Sequence, residues 1–183
     1  DLIHDPGKKW NYSGGNTELL AHIILRTTGK NIYQYAKEKI FDKINIENST
    51  WTNYAGTNIP ASASGLRLTS RGLLNFGLLY LNDGKWENEQ ILPSLWANES
   101  LKTTILHKDS QEFMGGYGYQ FWTWEQPFKG DNIHMADASG NGGQKIIIDK
   151  SNQILIVITA GNYNNWTLEN DSYSIFEKLY EDF

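Results

Sequence analysis

The sequence has no cysteine in its 183 residues. This excludes a disulfide framework and a thiolate metal site, although it does not fix the redox compartment. The four histidines show neither an HExxH motif nor a paired spacing. We therefore expect no metal site and no cofactor.

Long apolar runs and clustered positive charge are also missing. The longest apolar run, ILIVITA at residues 154–160, has the length of a buried strand rather than of a membrane span. The net charge is −5, and the sixteen lysines and arginines are scattered along the chain. We therefore expect a soluble chain without a membrane span and without a nucleic-acid partner.

The first part of the chain shows helical periodicity. NTELLAHIILRTTGK predicts a helix that ends at Gly29, and NIYQYAKEKIFDKI predicts a second helix to about residue 42. Residues 45–65 lack periodicity and predict an ordered loop or an active-site wall. A third helix is predicted to begin after the N-cap Thr69, and a fourth at Pro93, running to about residue 103.

After residue 112 the pattern becomes extended. YGYQFWTW, IHMADASG, GQKIIIDK and ILIVITAGN predict strands, and DKSN predicts a hairpin turn. The amphipathic pattern from Leu168 to Tyr180 predicts a last helix that packs on the sheet. We predict an α+β fold with a helical region in residues 1–112, followed by antiparallel strands and a covering C-terminal helix in residues 113–183.

The stretch ASGNGGQ at residues 138–144 is the first candidate for chemistry. The backbone N–H groups of Gly140, Asn141, Gly142 and Gly143 are not shielded by large side chains. Such amides suit a developing oxyanion or a carboxylate. A glycine bulge at a bend in the strand explains the same pattern, so both interpretations stay open.

The stretch WNYSGG at residues 10–15 is the second candidate, because it places Tyr12 just before a helix. As a packing residue, Tyr12 would contact Trp10 while Asn16 caps the helix. As an acid or base at neutral pH, Tyr12 would need a nearby cation and a nucleophile. A catalytic role for Tyr12 therefore requires that the protein also supply this cation and this nucleophile.

The order of these stretches resembles the serine β-lactamase and penicillin-recognising hydrolase superfamily, in its branch of class C-like esterases and aminohexanoate-oligomer hydrolases. The resemblance runs from PGKKWNYSGG through ASASGLRLTSRG, QILPSLW and GYGYQFW to ASGNGGQKIIIDKSNQILIVITAGN. It implies a β-lactamase/transpeptidase-like fold. Tyr12-Ser13-Gly14 corresponds to the family's Tyr-x-Asn motif, which implies that Tyr12 is turned toward a catalytic serine.

The family's Lys-Thr-Gly or His-Thr-Gly triplet corresponds to Ala138-Ser139-Gly140. Ala138 lacks the positive charge, and Gly14 replaces the usual asparagine; both departures suit a non-lactam substrate better than a β-lactam. The resemblance implies catalytic roles for Tyr12 and for the oxyanion-binding N–H of Asn141. It also implies substrate contacts for the neighbouring residues Ser139, Gly140, Gly142 and Gly143.

The family's nucleophilic Ser-x-x-Lys motif is missing, because no serine here is followed by lysine three positions later. Residues 27–30 fit Thr-x-x-Lys, but they lie where a helix is expected to end. Residues 1–10 contain neither an initiator methionine nor the apolar core of a signal peptide. We therefore expect the C-terminal half of a bacterial hydrolase, inactive alone, with periplasmic or secreted location implied only by the resemblance.

The implied reaction is acyl transfer from a small-molecule ester or amide through an acyl-enzyme. One alternative is a non-catalytic module that binds a carbohydrate or peptide with its seven tryptophans and ten tyrosines. Another is a self-contained hydrolase using Ser139 and His134, although a GxSxG elbow is lacking. If the N-terminal half is missing, residues 154–159 form an edge strand, so the expected partner is that half or a second copy in a homodimer.

Overall fold

The computed structural model describes residues 4, 5, 7–107 and 115–183. The chain divides into two compact units, Asp1–Leu68 and Thr69–Phe183, and the division predicted between residues 112 and 113 lies outside the described residues. The first unit contains α1 (Gly14–Thr28), α2 (Ile32–Lys39), a 3₁₀ turn (Phe41–Lys43), β1 (Ser49–Trp51) and β2 (Leu66–Leu68). The second contains α3 (Ser70–Leu81), β3 (Lys85–Trp86), β4 (Glu89–Gln90), α4 (Ser94–Glu99), β5 (Ile105–His107), β6 (Gly115–Tyr117), β7 (Trp122–Phe128), β8 (Asp131–Gly140), β9 (Gln144–Asp149), β10 (Ile154–Ile158) and α5 (Trp166–Glu181).

The two helices of the first unit form where the periodicity predicts them. α1 ends where Gly29 takes a left-handed conformation with φ of 71° and donates its N–H to the carbonyl of Leu25. α2 begins with a capping box, in which the Asn31 side chain accepts from the Gln34 N–H and the Gln34 side chain accepts from the Asn31 N–H. The end predicted for α2, near residue 42, is instead a 3₁₀ turn.

The predicted loop at residues 45–65 contains more regular structure than its sequence indicates. β1 pairs antiparallel with β2, with Ser49 opposite Leu68 and Trp51 opposite Leu66. The indole of Trp51 donates to the carbonyls of Ala61 and Ser64, at 2.8 and 2.9 Å. The segment between the strands is therefore tied back to β1, because one side chain binds its last turn.

The second unit is built on an antiparallel sheet with the strand order β10-β9-β8-β7-β6-β5. The predicted hairpin turn at DKSN joins β9 to β10, and Ile154 pairs with Asp149. In the described residues β10 pairs with β9 alone, so it lies at an edge of this sheet. Association of the chain through this edge stays a prediction.

Each face of the sheet carries one apolar cluster to which a helix contributes. On one face, α3 contributes Tyr80 and Leu81 to a cluster with Ile146 and Ile148 of β9. On the other face, α5 contributes Phe176 and Tyr180 to a second cluster. These clusters confirm the predicted α+β fold, in which the last helix covers the sheet.

The helices of the second unit differ in how well their bounds were predicted. The N-cap of α3 is Thr69, as predicted, and its hydroxyl accepts from the Gly72 N–H. α4 is shorter than predicted, ending at Glu99 rather than near residue 103. Pro93 is its N-cap rather than its first helical residue. Residues 105–107 then form β5, which pairs with β6.

Candidate active site

Tyr12 lies two residues before α1, and 59% of its surface is exposed. Ser13 occupies the N-cap position in extended conformation without a capping side-chain hydrogen bond. The helix therefore begins earlier than expected, and Asn16 lies inside it rather than capping it. A Cβ on Gly14 would lie 3.1 Å from the Cβ of Ala63, so glycine at this position permits close approach of residue 63 to the start of α1.

The carboxylate of Glu18 ties α1 to the segment between β1 and β2. It accepts hydrogen bonds from the Tyr54 hydroxyl at 2.8 Å, from the Ala63 N–H at 2.9 Å, and from the Ser62 hydroxyl. Burial raises the pKa of Glu18, but these donors, with Ser62 the strongest, lower it overall. Glu18 thus fixes residues 54–63 beside the helix that follows Tyr12.

The turn between β8 and β9 contacts the loop that follows β10. The side chain of Asn141 donates to the Asn164 side-chain oxygen and accepts from the Asn164 N–H, each at 2.9 Å. Gly142 has φ of 94°, and a Cβ there would lie 2.9 Å from the ring of Tyr163. Glycine at residue 142 is therefore required both by its conformation and by the close ring.

The backbone amides of residues 140–143 differ in their exposure and in their hydrogen bonds. Gly143 donates its N–H to the carbonyl of Gly140 at 3.3 Å. Gly142 and Gly143 are buried, while Gly140 and Asn141 are exposed. The described geometry therefore gives Gly142 and Gly143 a role in shaping the turn, and leaves Gly140 and Asn141 at its surface.

Ser139 belongs to a polar cluster on the α5 face of the sheet, together with Asp137, Lys145 and Tyr173. The Lys145 ammonium donates to the Ser139 hydroxyl at 2.6 Å, and the Ser139 hydroxyl donates to Oδ2 of Asp137. The Tyr173 hydroxyl donates to the same Oδ2 at 2.9 Å. The Lys145 ammonium lies 3.5 Å from that oxygen and 3.6 Å from the centre of the Tyr173 ring.

The charged members of this cluster are buried. Asp137 is 0% exposed and Lys145 is 6% exposed. Burial raises the pKa of Asp137, and it is opposed by the Lys145 charge and by the hydrogen bonds from Ser139 and Tyr173. Burial, and then the Asp137 charge, raise the pKa of Tyr173. The Tyr173 hydroxyl therefore stays protonated and acts as a donor.

Sequence reasoning missed Asp137, Lys145 and Tyr173. A signal was present in GQKIIID, where a lysine precedes three isoleucines in a buried strand, because a buried cation requires a counter-charge. The partner could not be named, because it follows from the cross-strand register that sets Ser139 opposite Lys145. Tyr173 comes from α5, and it lies 36 residues after Asp137 in the sequence.

The self-contained pairing of Ser139 with His134 is wrong. The His134 ring nitrogens contact other groups: Nδ1 lies 2.9 Å from a carboxylate oxygen of Glu125, and Nε2 lies 3.0 Å from the carbonyl oxygen of Leu101. The two residues are five positions apart on β8, so their side chains point to opposite faces of the sheet. His134 therefore cannot act on the Ser139 hydroxyl in this arrangement.

The Thr-x-x-Lys sequence at residues 27–30 forms a helix end, as expected. The Thr27 hydroxyl donates to the carbonyl of Ile23 at 2.8 Å, and the Lys30 ammonium pairs with Glu38. Neither side chain binds the other in these contacts. The segment is therefore explained by the Gly29 cap of α1 rather than by catalysis.

The described residues were compared with the requirements of a metal site and of a membrane-spanning helix. Among the described residues, no group of three or more His, Asp or Glu side chains could hold a metal ion. None of the described helices is long and apolar enough to cross a bilayer. Tyr12 and Asn141 belong to different compact units, and the catalytic roles that the resemblance implies for them stay predictions.

The fold is that of the penicillin-recognising hydrolases, with helices and an antiparallel sheet in the order that the sequence predicts. The sequence profile described as Beta-lactamase matches residues 1–180. The chain therefore belongs to the β-lactamase family, which confirms the resemblance seen in its motifs. A search of curated protein sequences finds no match to the chain.

Solved structures support the same fold. A protein assigned as a 6-aminohexanoate-dimer hydrolase from Bacillus anthracis is 25% identical, with a TM-score of 0.78 over 100% of this chain and 47% of the other. A penicillin binding protein from Bacillus halodurans is 14% identical, with a TM-score of 0.73 over 98% of this chain and 59% of the other. A D-stereospecific amidohydrolase from Streptomyces is 16% identical, with a TM-score of 0.64 over 92% and 56%. This chain thus spans about half the length of the structures it matches.

Proposed function

We propose that this chain is part of a serine hydrolase that cleaves a small ester or amide through an acyl-enzyme. The observation that carries the proposal is the family match along residues 1–180. One similar structure is described as a hydrolase of an aminohexanoate dimer, and another is described as an amidohydrolase. These descriptions support a non-lactam substrate. The loss of positive charge at Ala138 supports the same choice.

In the proposed reaction the nucleophilic serine and its lysine come from a Ser-x-x-Lys motif that is not among these 183 residues. The serine oxygen attacks the substrate carbonyl, and the alcohol or amine leaves with a proton. Tyr12, exposed before α1, takes part in moving that proton. Water then hydrolyses the acyl-enzyme and regenerates the serine.

The oxyanion formed during attack is bound by backbone N–H groups in this proposal. The Asn141 amide supplies one donor and the nucleophilic serine supplies the other. The reciprocal hydrogen bonds between Asn141 and Asn164 support this role, because they hold the turn in one geometry before substrate arrives. Gly142 and Gly143 support it by shaping the turn.

The proposal is tested by looking for the acyl-enzyme with mass spectrometry after mixing with p-nitrophenyl acetate. The 183-residue chain alone is expected to gain no acetyl group and to hydrolyse neither nitrocefin nor the ester above background. The protein that also carries the Ser-x-x-Lys motif is expected to gain one acetyl group on that serine. Turnover by the 183-residue chain that is abolished in Ser139→Ala would contradict the proposal.

A further inference from the structure

Tyr163 lies in the loop that follows β10, next to the turn that contains Asn141. The residue is 65% exposed. A Cβ on Gly142 would lie 2.9 and 3.0 Å from two carbons of the Tyr163 ring, Cδ1 and Cε1. One edge of the ring therefore lies against Gly142, while most of the residue is accessible to solvent and to a ligand.

The backbone on both sides of Tyr163 is hydrogen-bonded to the same turn. The Asn162 N–H donates to the carbonyl of Gly142 at 3.1 Å. The Asn164 N–H donates to the side-chain oxygen of Asn141 at 2.9 Å. The exposed ring is thus carried by a fixed backbone, so little conformational freedom of this loop is lost when a ligand binds to the ring.

The packing of the second unit does not explain a tyrosine at this position. Tyr163 belongs to neither of the two apolar clusters of the sheet. Its hydroxyl has no hydrogen-bond partner among the described residues. Since a tyrosine in a core or at a structural hydrogen bond would show one of these features, the exposed ring of Tyr163 is a candidate for contact with a ligand.

The two segments that meet at Tyr163 carry no charged residue. They are GNGGQ at residues 140–144 and AGNYNN at residues 160–165. A charged chain placed on the ring would lose hydration without gaining a counter-charge from either segment. An uncharged apolar chain would instead gain free energy by removing its own surface and that of the ring from water.

The position of the ring relates it to the proposed reaction. Gly142 is bonded directly to Asn141, whose N–H is assigned to the oxyanion in the proposed function. A substrate oxygen bound by that N–H lies about 3 Å from the Asn141 nitrogen. The acyl chain attached to the same carbonyl carbon is therefore brought to the part of the turn that the Tyr163 ring covers.

We propose that Tyr163 is a specificity residue that selects substrates with an uncharged apolar acyl chain, because its ring packs against that chain. The inference rests on the proposed hydrolase function, which places the substrate carbonyl at Asn141. The contact is made by the ring, so the hydroxyl of Tyr163 is not required for it.

The first test uses the protein that carries the Ser-x-x-Lys motif and two substrates, p-nitrophenyl acetate and p-nitrophenyl hexanoate, which differ only in the acyl chain. The measured quantity is the ratio of kcat/KM for the hexanoate to that for the acetate. Tyr163→Ala is expected to lower this ratio about tenfold. Tyr163→Phe is expected to keep the wild-type ratio, because it retains the ring. Damage to the turn would reduce both rates alike, so the ratio separates a substrate contact from a structural role.

The second test needs no turnover. The isotope-labelled 183-residue chain is titrated with hexanamide and with acetamide, and the backbone amide resonances of residues 141, 142 and 163 are followed. Hexanamide is expected to shift these resonances at concentrations at least about fivefold lower than acetamide. Tyr163→Ala, with its fold checked by its amide spectrum, is expected to remove this difference, and Tyr163→Phe is expected to keep it.

The inference is overturned if Tyr163→Ala leaves the ratio of the two esters unchanged, or if the preference for hexanamide is absent or survives in Tyr163→Ala. The two proposals fail separately. If the hexanamide preference depends on Tyr163 but the protein with its Ser-x-x-Lys motif forms no acyl-enzyme, the hydrolase proposal fails and the contact of Tyr163 with an apolar chain stands. If the acyl-enzyme forms but neither preference depends on Tyr163, this inference fails and the hydrolase proposal stands.

Discussion

The two faces of the sheet differ in whether an ion pair is exposed or buried. On the α3 face, Lys150 forms an ion pair with Asp83 at the rim, and the side chain of Asp83 is 52% exposed. On the α5 face, Asp137 and Lys145 form an ion pair within the sheet, with side chains 0% and 7% exposed. Exposed pairs contribute little to stability, whereas a buried charge is costly once its partner is lost. The buried ion pair of the α5 face therefore makes the free energy of unfolding sensitive to the loss of either partner. The exposed pair of the α3 face does not have this effect.

The largest effect is expected from Lys145→Met, which leaves Asp137 buried beside an apolar side chain. We expect the free energy of unfolding to fall by about 3–5 kcal/mol, the usual cost of removing one partner of a buried pair. Urea unfolding followed by circular dichroism measures it. The double variant Lys145→Met/Asp137→Leu serves as the control and is expected to recover most of the loss, because neither charge remains. A loss below about 1 kcal/mol in the single variant would show that the pair is effectively solvated.

An intermediate effect is expected from Gly77→Ala on the α3 face. A Cβ at Gly77 would lie 2.6 Å from Leu155 and 2.9 Å from Ile146. Overpacking of this kind costs about 1–3 kcal/mol, and the better helix propensity of alanine returns up to about 1 kcal/mol. Thermal unfolding is therefore expected to occur at a lower temperature. Adding Leu155→Val should restore part of the loss, and a stabilised Gly77→Ala would contradict the close packing of α3 on β10.

The smallest effect is expected from Lys150→Met at the rim of the α3 face. The hydrogen bond from the Lys150 ammonium is the main cause that lowers the pKa of Asp83. The stabilisation from this pair is therefore present above the unfolded pKa of about 4 and is lost as pH falls through the lower folded pKa. The variant is expected to lose at most about 1 kcal/mol at pH 7. Urea unfolding at pH 7 and at pH 2.5 should show the difference from the wild type shrinking in acid. A difference that grows in acid would contradict the pairing.

Local signals in the sequence were enough to predict most of the fold. Gly29 and Thr69 mark helix ends because their conformations and side chains act within one turn. The β1–β2 pair was missed, since strands of three residues carry no readable alternation. The end of α4 was also misplaced, since the helix ends at Glu99 and residues 105–107 form a strand of the sheet.

The candidate site was predicted less completely. The family resemblance marks Tyr12 and Asn141, whose roles stay proposals. The partners of Ser139 could not be predicted from local sequence, because they depend on strand register and on the position of α5. The Asn141–Asn164 contact was missed for the same reason, since a turn and a later loop meet only in the folded chain.

The central claim, that Tyr12 takes part in acyl transfer, is tested most directly by measuring kcat for Tyr12→Phe in the protein that carries the Ser-x-x-Lys motif. Tyr54→Phe is the matched control, because Tyr54 is another exposed tyrosine of the first unit and its hydroxyl binds Glu18. We predict that Tyr12→Phe lowers kcat for a p-nitrophenyl ester by roughly two to four orders of magnitude, the scale of a positioned acid or base, while Tyr54→Phe leaves kcat near the wild-type value. An unchanged kcat in Tyr12→Phe would contradict the account and make Tyr12 a packing residue.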